Sequence, residues 1–161
     1  MTIIKLKKMK LSIIIPCFNE EKTLSKVVEK VMLFKSFEKE IIIVDDCSSD
    51  NTPKIINDLI FKFNEIKSIR HEKNYGKGKG IKSGIKVSTG NIILIQDADL
   101  EYNPDEYDNL LKPFLETNAD VVYGSRFLGG EYVKLSFFWH FVANKILTLF
   151  CNIFTNLNMT D

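Results

Sequence analysis

The chain has 161 residues, 45% hydrophobic and 27% charged, a size and balance that fit one globular domain with a sizeable core and exclude wholesale disorder. Twenty-two Lys and Arg against 21 Asp and Glu leave a formal charge of +1, so nothing global attracts nucleic acid and any anion site must be local. Three widely spaced cysteines, Cys17, Cys47 and Cys151, form no CxxC or His-rich pattern, which argues against a disulfide framework or structural zinc and for a reducing compartment.

The opening MTIIKLKKMK is basic but lacks the apolar core and cleavage site of a secretory signal, so residues 1–10 read as a leader before the first strand. From there, short β-branched runs alternate with longer helical patterns, the signature of βαβ units and a parallel sheet. LSIIIP (11–16) predicts a buried strand, and EEKTLSKVVEKVMLF (20–34) a helix whose Leu24, Val27, Val28, Val31 and Leu33 or Phe34 share one face. EIIIVDD (40–46) predicts the second strand, and NTPKIINDLIFKF (51–63) a helix capped by Asn51 or Thr52 with Pro53 in its first turn.

KSIRH (67–71) is a weaker third strand, KGIKSGIKVS (79–88) a glycine-bearing helix, and NIILIQ (91–96) a strongly apolar fourth strand. Pro104 starts a helix over DEYDNLLKPFLE, and ADVVYGSR (119–126) predicts a fifth strand with its exit loop. LSFFWHFVANKILTLFCNIF (135–154) is broken by His140, Asn144, Lys145 and Asn152 and falls short of the roughly 18 uninterrupted apolar residues of a spanning helix. It reads as an aromatic-rich helix that either lies in a membrane interface or packs on the sheet. The expected organisation is a leader (1–10), a core (11–131) and an amphipathic C-terminal helix (132–161), with an α/β, mainly parallel sheet carrying helices on both faces.

In doubly wound sheets, ligands bind beyond the carboxyl ends of the strands. The polar clusters fall there: PCFNE after the first strand, DDCSSD after the second, DADLE after the fourth and GSR after the fifth. Asp97, Asp99 and Glu101, spaced two apart, repel one another unless a cation or basic partner intervenes, and hard divalent cations favour a few carboxylates plus phosphate oxygens. The same acids would also suit the dipole of the helix that follows. Asp45 and Asp46 offer acceptors for a base N–H or a ribose hydroxyl, and an N-cap alone explains Asp50 but not both preceding aspartates. NYGKGKG (74–80) permits close backbone approach and offers lysines, Lys77 among them, to phosphate, although it is no Walker loop. Arg126 is a candidate phosphate grip or a plain salt-bridge partner. His71 and His140 read as structural, and Cys17 and Cys47 as small buried residues.

Taken in order, IIPCFNEE, IIIVDDCSSDNT, NYGKGKGIKSG, IQDADLEYNP and VVYGSR resemble the motif series of family-two glycosyltransferases of the GT-A fold, over about residues 10 to 161. The branch they resemble is that of the dolichol- and polyprenyl-phosphate mannosyl- or glucosyltransferases. The resemblance implies metal-dependent, inverting transfer of a hexose from a nucleotide sugar of the GDP-mannose or UDP-glucose type to a polyprenyl or dolichyl phosphate, with Mg²⁺ or Mn²⁺. It implies that Pro16, Phe18, Glu20 and Lys77 border the nucleotide sugar, Phe18 standing where tyrosine is more usual, and that Asp45 and Asp46 address base and ribose. Asp97 would lie near the sugar and diphosphate, Asp99 with Glu101 would hold the metal, and Arg126 would bind the acceptor phosphate. The expected place is the cytoplasmic face of a membrane, peripherally bound.

The family's motifs continue beyond NLNMTD, so the chain is expected to be a C-terminally truncated piece of a longer domain. An inactive nucleotide-sugar-binding fragment is the alternative. A receiver-type phosphoacceptor domain fits less well, because its paired acids follow the first strand and no Lys-Pro follows the fifth. A sugar nucleotidyltransferase would open with a glycine-rich basic loop, where this chain has PCFNEE.

Overall fold

A computed structural model describes residues 9–117, 119–124 and 138–156. Four parallel strands, β1 (Lys10–Cys17), β2 (Glu38–Asp45), β3 (Ile66–Arg70) and β4 (Ile92–Ile95), lie in the order β3-β2-β1-β4. Between them run α1 (Leu24–Leu33), α2 (Thr52–Lys62) and α3 (Lys77–Val87). A 3₁₀ turn, Pro104–Glu106, leads into α4 (Tyr107–Glu116), and α5 (Phe138–Thr155) follows.

β1 and β2 are apolar on both faces because helices cover both faces. Leu11, Ile13, Ile15, Ile41 and Ile43 point to one side and pack with Leu24, Val27, Val28 and Val31 of α1, Ile56 and Leu59 of α2, and Tyr107 and Leu111 of α4. Ile14, Ile42 and Val44 alternate to the other side. There α3 comes close enough that a Cβ on Gly84 would lie 2.5 Å from Ile14 Cγ2, and one on Gly80 would lie 3.4 Å from Pro16 Cβ. Glycines in α3 therefore set how tightly it seats on the sheet.

The α/β class with helices on both faces is as expected. Of the expected caps of helix α2, Asp50 is the one that forms: its Oδ1 accepts the Thr52 N–H at 2.9 Å, while Asn51 makes no side-chain cap. The fifth strand is a correction. Residues 119–124 belong to no strand, and Val121 and Tyr123 are exposed. A β-rich sequence pattern needs a ladder partner to become a strand, and ADVVYG pairs with none among the described residues. No described helix is long and apolar enough to cross a membrane. Along α5, Trp139, Leu147, Ile153 and Phe154 are exposed.

Candidate functional site

The carboxyl ends of the strands form a rim, and each loop leaving it turns through one left-handed residue: Asn19 (φ 57°), Cys47 (φ 66°), Gly76 (φ 86°) and Leu100 (φ 66°). Asn tolerates this conformation and Gly is free in it, but Cys47 and Leu100 hold it against Cβ sterics, and such strain collects at functional sites. Behind the turns lies a cleft of ≈ 290 Å³ lined by Pro16, Cys17, Phe18, Glu20, Asp46, Asn74, Gly76, Lys77, Gly80, Asp97, Ala98 and Asp99. Seven candidates thus meet: Pro16, Phe18, Glu20, Asp46, Lys77, Asp97 and Asp99. Asp45 and Glu101 stand outside the lining, and Arg126 lies outside the described residues.

Hydrogen bonds stitch the first two exit loops together. Asn19 N–H donates to Ser48 Oγ at 2.9 Å, and Asn19 Oδ1 accepts the Ser49 N–H at 2.8 Å. Glu20 N–H donates to Thr52 Oγ1 at 2.8 Å, while its carboxylate accepts from Thr23 Oγ1 at 2.5 Å. Phe18 is half exposed at the cleft mouth, as a flat surface against which a base or sugar can lie. Cys17 in the floor is buried, and burial followed by the nearby charge of Asp45 pushes its thiol up to about 12, which disfavours the thiolate a nucleophile needs.

The adjacent aspartates, one closing β2 and one just beyond it, have separate partners. Asp45 is buried; its Oδ1 accepts the Ser48 N–H at 2.9 Å, and its Oδ2 has no hydrogen-bond donor, with Arg70 Nη1 3.5 Å away. Asp46 faces the cleft and accepts the N–H groups of Tyr75 (3.0 Å) and Gly76 (2.7 Å) and a 2.6 Å contact from His71 Nδ1. Burial works to raise its pKa, but these bonds outweigh burial and hold the carboxyl below its ordinary value.

Across the cleft, Lys77 Nζ sits 2.7 Å from the Asp97 carboxylate. The lysine side chain is 60% exposed, so this pair contributes only about 0–1 kcal/mol and yields readily to an incoming ligand. Asp99 is exposed, and its Oδ1 accepts the Glu101 N–H at 3.0 Å, closing the turn that holds Leu100 left-handed. The acidic loop is anchored from below by Gln96, which sequence reasoning passed over. Gln96 is buried, its Oε1 accepts the Tyr107 hydroxyl at 2.6 Å, and its Nε2 donates to the Asp97 carbonyl at 2.9 Å and the Tyr102 carbonyl at 3.3 Å. A glutamine closing an apolar strand was the available signal, since a buried amide requires partners. Among the described residues, no three His, Cys, Asp or Glu side chains gather as a metal cage.

The Glycosyl transferase family 2 model matches residues 12–147. The chain belongs to that family. It is 38% identical over 118 residues to a protein of Methanocaldococcus jannaschii with no assigned function, covering 70% of this chain and 50% of that one. It is 31% identical over 127 residues to the dolichol-phosphate mannosyltransferase of Pyrococcus furiosus, covering 78% of this chain and 36% of the relative. A solved mannosyltransferase from Pyrobaculum calidifontis, in complex with GDP-Man and Mn²⁺, superposes with a TM-score of 0.59 at 21% identity, over 66% of this chain and 32% of that one, and so shares the fold. This family 2 chain spans half or less of the length of these relatives. Membership supports a transferase and removes the receiver-domain and nucleotidyltransferase alternatives.

Proposed function

We propose that this domain binds a nucleotide sugar in the rim cleft with a divalent cation and, within its longer protein, transfers a hexose with inversion to a polyprenyl or dolichyl phosphate. The observation that carries the reading is the meeting of Lys77, Asp97 and Asp99 in one cleft beside Phe18 and Glu20, in a family 2 chain. A diphosphate brings its own oxygens to Mg²⁺ or Mn²⁺, so the protein needs to add only one or two carboxylates rather than a full cage. Asp99 fits that requirement, with Glu101 next along the loop as a further oxygen ligand. The cation supplies neutralisation of charge on the leaving diphosphate.

The chain's own groups divide the remaining work. Lys77 leaves Asp97 for the diphosphate, which frees the Asp97 carboxylate to accept hydroxyls of the sugar. Phe18, Pro16 and Glu20 bound the nucleoside. Asp45, paired with the Arg70 guanidinium behind the cleft, steadies the wall on which the base rests, and Asp46 holds the loop through which the ribose enters. A phosphomonoester, with a second pKa of about 6, is largely dianionic at neutral pH and attacks the sugar with little help from a general base. Arg126 receives that phosphate in this reading, and the exposed aromatic face of α5 rests on the cytoplasmic side of a membrane where the isoprenoid is embedded.

The test incubates the chain, alone and extended to its natural C-terminus, with UDP-glucose or GDP-mannose, polyprenyl phosphate and Mn²⁺. Lipid-linked sugar that falls about 10²-fold or more in Asp99→Ala supports the reading. Transfer unchanged by a chelator refutes the metal role.

A further inference from the structure

One imidazole ties three segments of the chain together. His71, the residue after β3, places Nδ1 2.6 Å from Asp46 Oδ1 and Nε2 2.9 Å from Ser83 Oγ in α3. Its ring meets Tyr75 edge-on, with centroids 5.4 Å apart. The His71 and Asp46 side chains are only 8% and 7% exposed, so these contacts form away from water, where charge-assisted hydrogen bonds are strongest. The order Asp, His, Ser is that of a hydrolytic triad. Yet neither His71 nor Ser83 lines the cleft, so the array serves the donor site by position rather than by attack.

What it positions follows from the other bonds of Asp46. The carboxylate that holds His71 also accepts the Tyr75 and Gly76 N–H groups, fixing the left-handed turn at Gly76. Lys77, the next residue, opens α3 and reaches Asp97. Ser83 secures the same helix about two turns further on. The start of α3 is therefore held at two points by one buried pair.

We propose that the Asp46–His71–Ser83 array is the positioning device for Lys77, fixing the Gly76 turn so that the ammonium faces the donor diphosphate. The inference rests on the donor-site reading above. His71 is a positioning residue, since it acts through Lys77 and touches no substrate.

The test measures calorimetric affinity for UDP and for GDP, each with Mn²⁺, in the wild-type chain, His71→Ala, Lys77→Ala and the double variant. Each single change should weaken binding about tenfold, and the double variant should bind no more weakly than Lys77→Ala, because His71 has nothing left to position. His71→Asn, whose amide can replace the Nδ1–H contact to Asp46, should recover most of the loss. It also serves if His71→Ala folds poorly. Losses that multiply in the double variant, or a His71→Ala that binds like wild type, overturn the inference while leaving the donor site standing. A wild-type chain that binds neither nucleotide overturns the donor-site reading itself, and the inference with it.

Discussion

The two ends of the sheet use carboxylates in opposite ways. At the amino ends of the strands, Glu40 is 3% exposed and surrounded by donors: Ser12 Oγ at 2.6 Å, Thr89 N–H at 2.6 Å, Thr89 Oγ1 at 2.9 Å, Lys67 at 3.1 Å and Lys10 at 3.2 Å. At the carboxyl ends, Asp97 has one exposed lysine, and Asp99 gives one oxygen to its own loop. Glu40 joins β1, β2 and β3 to the turn before β4, so its bonding capacity is consumed by the fold. In the proposed donor-site reading, capacity left over on Asp97 and Asp99, rather than the number of acids, marks where a ligand binds.

Exchanging the roles tests this contrast. Glu40→Ala removes the acceptor from a cluster of charged and hydroxyl donors and should lower unfolding free energy by about 3 kcal/mol in urea titrations, while folded molecules keep their nucleotide affinity. Asp99→Ala should do the reverse, changing stability by less than about 1 kcal/mol and removing metal-dependent binding. A Glu40 variant that loses affinity without losing stability would break the comparison.

The seat of α3 links the two ends. Gly84→Ala drives a methyl into fully buried Ile14 and should destabilise by about 1–3 kcal/mol, with weaker nucleotide binding as the start of α3 shifts at the rim.

Acid should act on both ends, and most on Glu40. Burial raises the Glu40 carboxyl, but the bonds from Ser12, Thr89 and Lys67 outweigh it and hold it far below its ordinary 4.5. Asp46 and Asp50 are likewise held below 3.8 against burial, Asp46 by Tyr75, His71 and Gly76, and Asp50 by Thr52 and Glu21. A lowered folded pKa means stability that is fully present above the ordinary value and lost as pH falls through the folded one. Thermal unfolding should therefore be flat above about pH 5 and fall steeply below 4.5, with the fall shallower in Glu40→Gln. A Glu40→Gln profile parallel to wild type would show that the bonds to Glu40 add nothing to stability.

The smallest effect belongs to the rim turns. Cys47→Gly frees a left-handed backbone of its Cβ and should raise stability by up to about 1 kcal/mol, seen as a higher urea midpoint. A lower midpoint would show that the contact of Cys47 Sγ with the Glu72 carbonyl matters more than the strain.

Much of this was legible in the sequence, for reasons tied to particular residues. Ile13 to Ile15 and Ile41 to Val44 are continuous apolar runs that only a doubly covered parallel strand explains, and the acids after them marked the rim. The fifth strand was misread because β propensity in ADVVYG says nothing of a ladder partner. His71 was read as structural, and its link to Asp46 spans 25 residues and to Ser83 another 12, which no local pattern encodes. That Asp46 lines the cleft and Asp45 does not is a difference that two identical neighbouring side chains do not announce. Arg126 lies outside the described residues, so its acceptor role stays a proposal.

The central claim is that the rim cleft, not the amino-end cluster, holds a metal-bound nucleotide sugar. Paramagnetic broadening of amide resonances by Mn²⁺ in the presence of UDP or GDP tests it most directly. The account predicts broadening centred on residues 97–101, extending to Phe18 and Lys77, absent without nucleotide and lost in Asp99→Ala. Broadening centred on Glu40, or equal in Asp99→Ala, would contradict it.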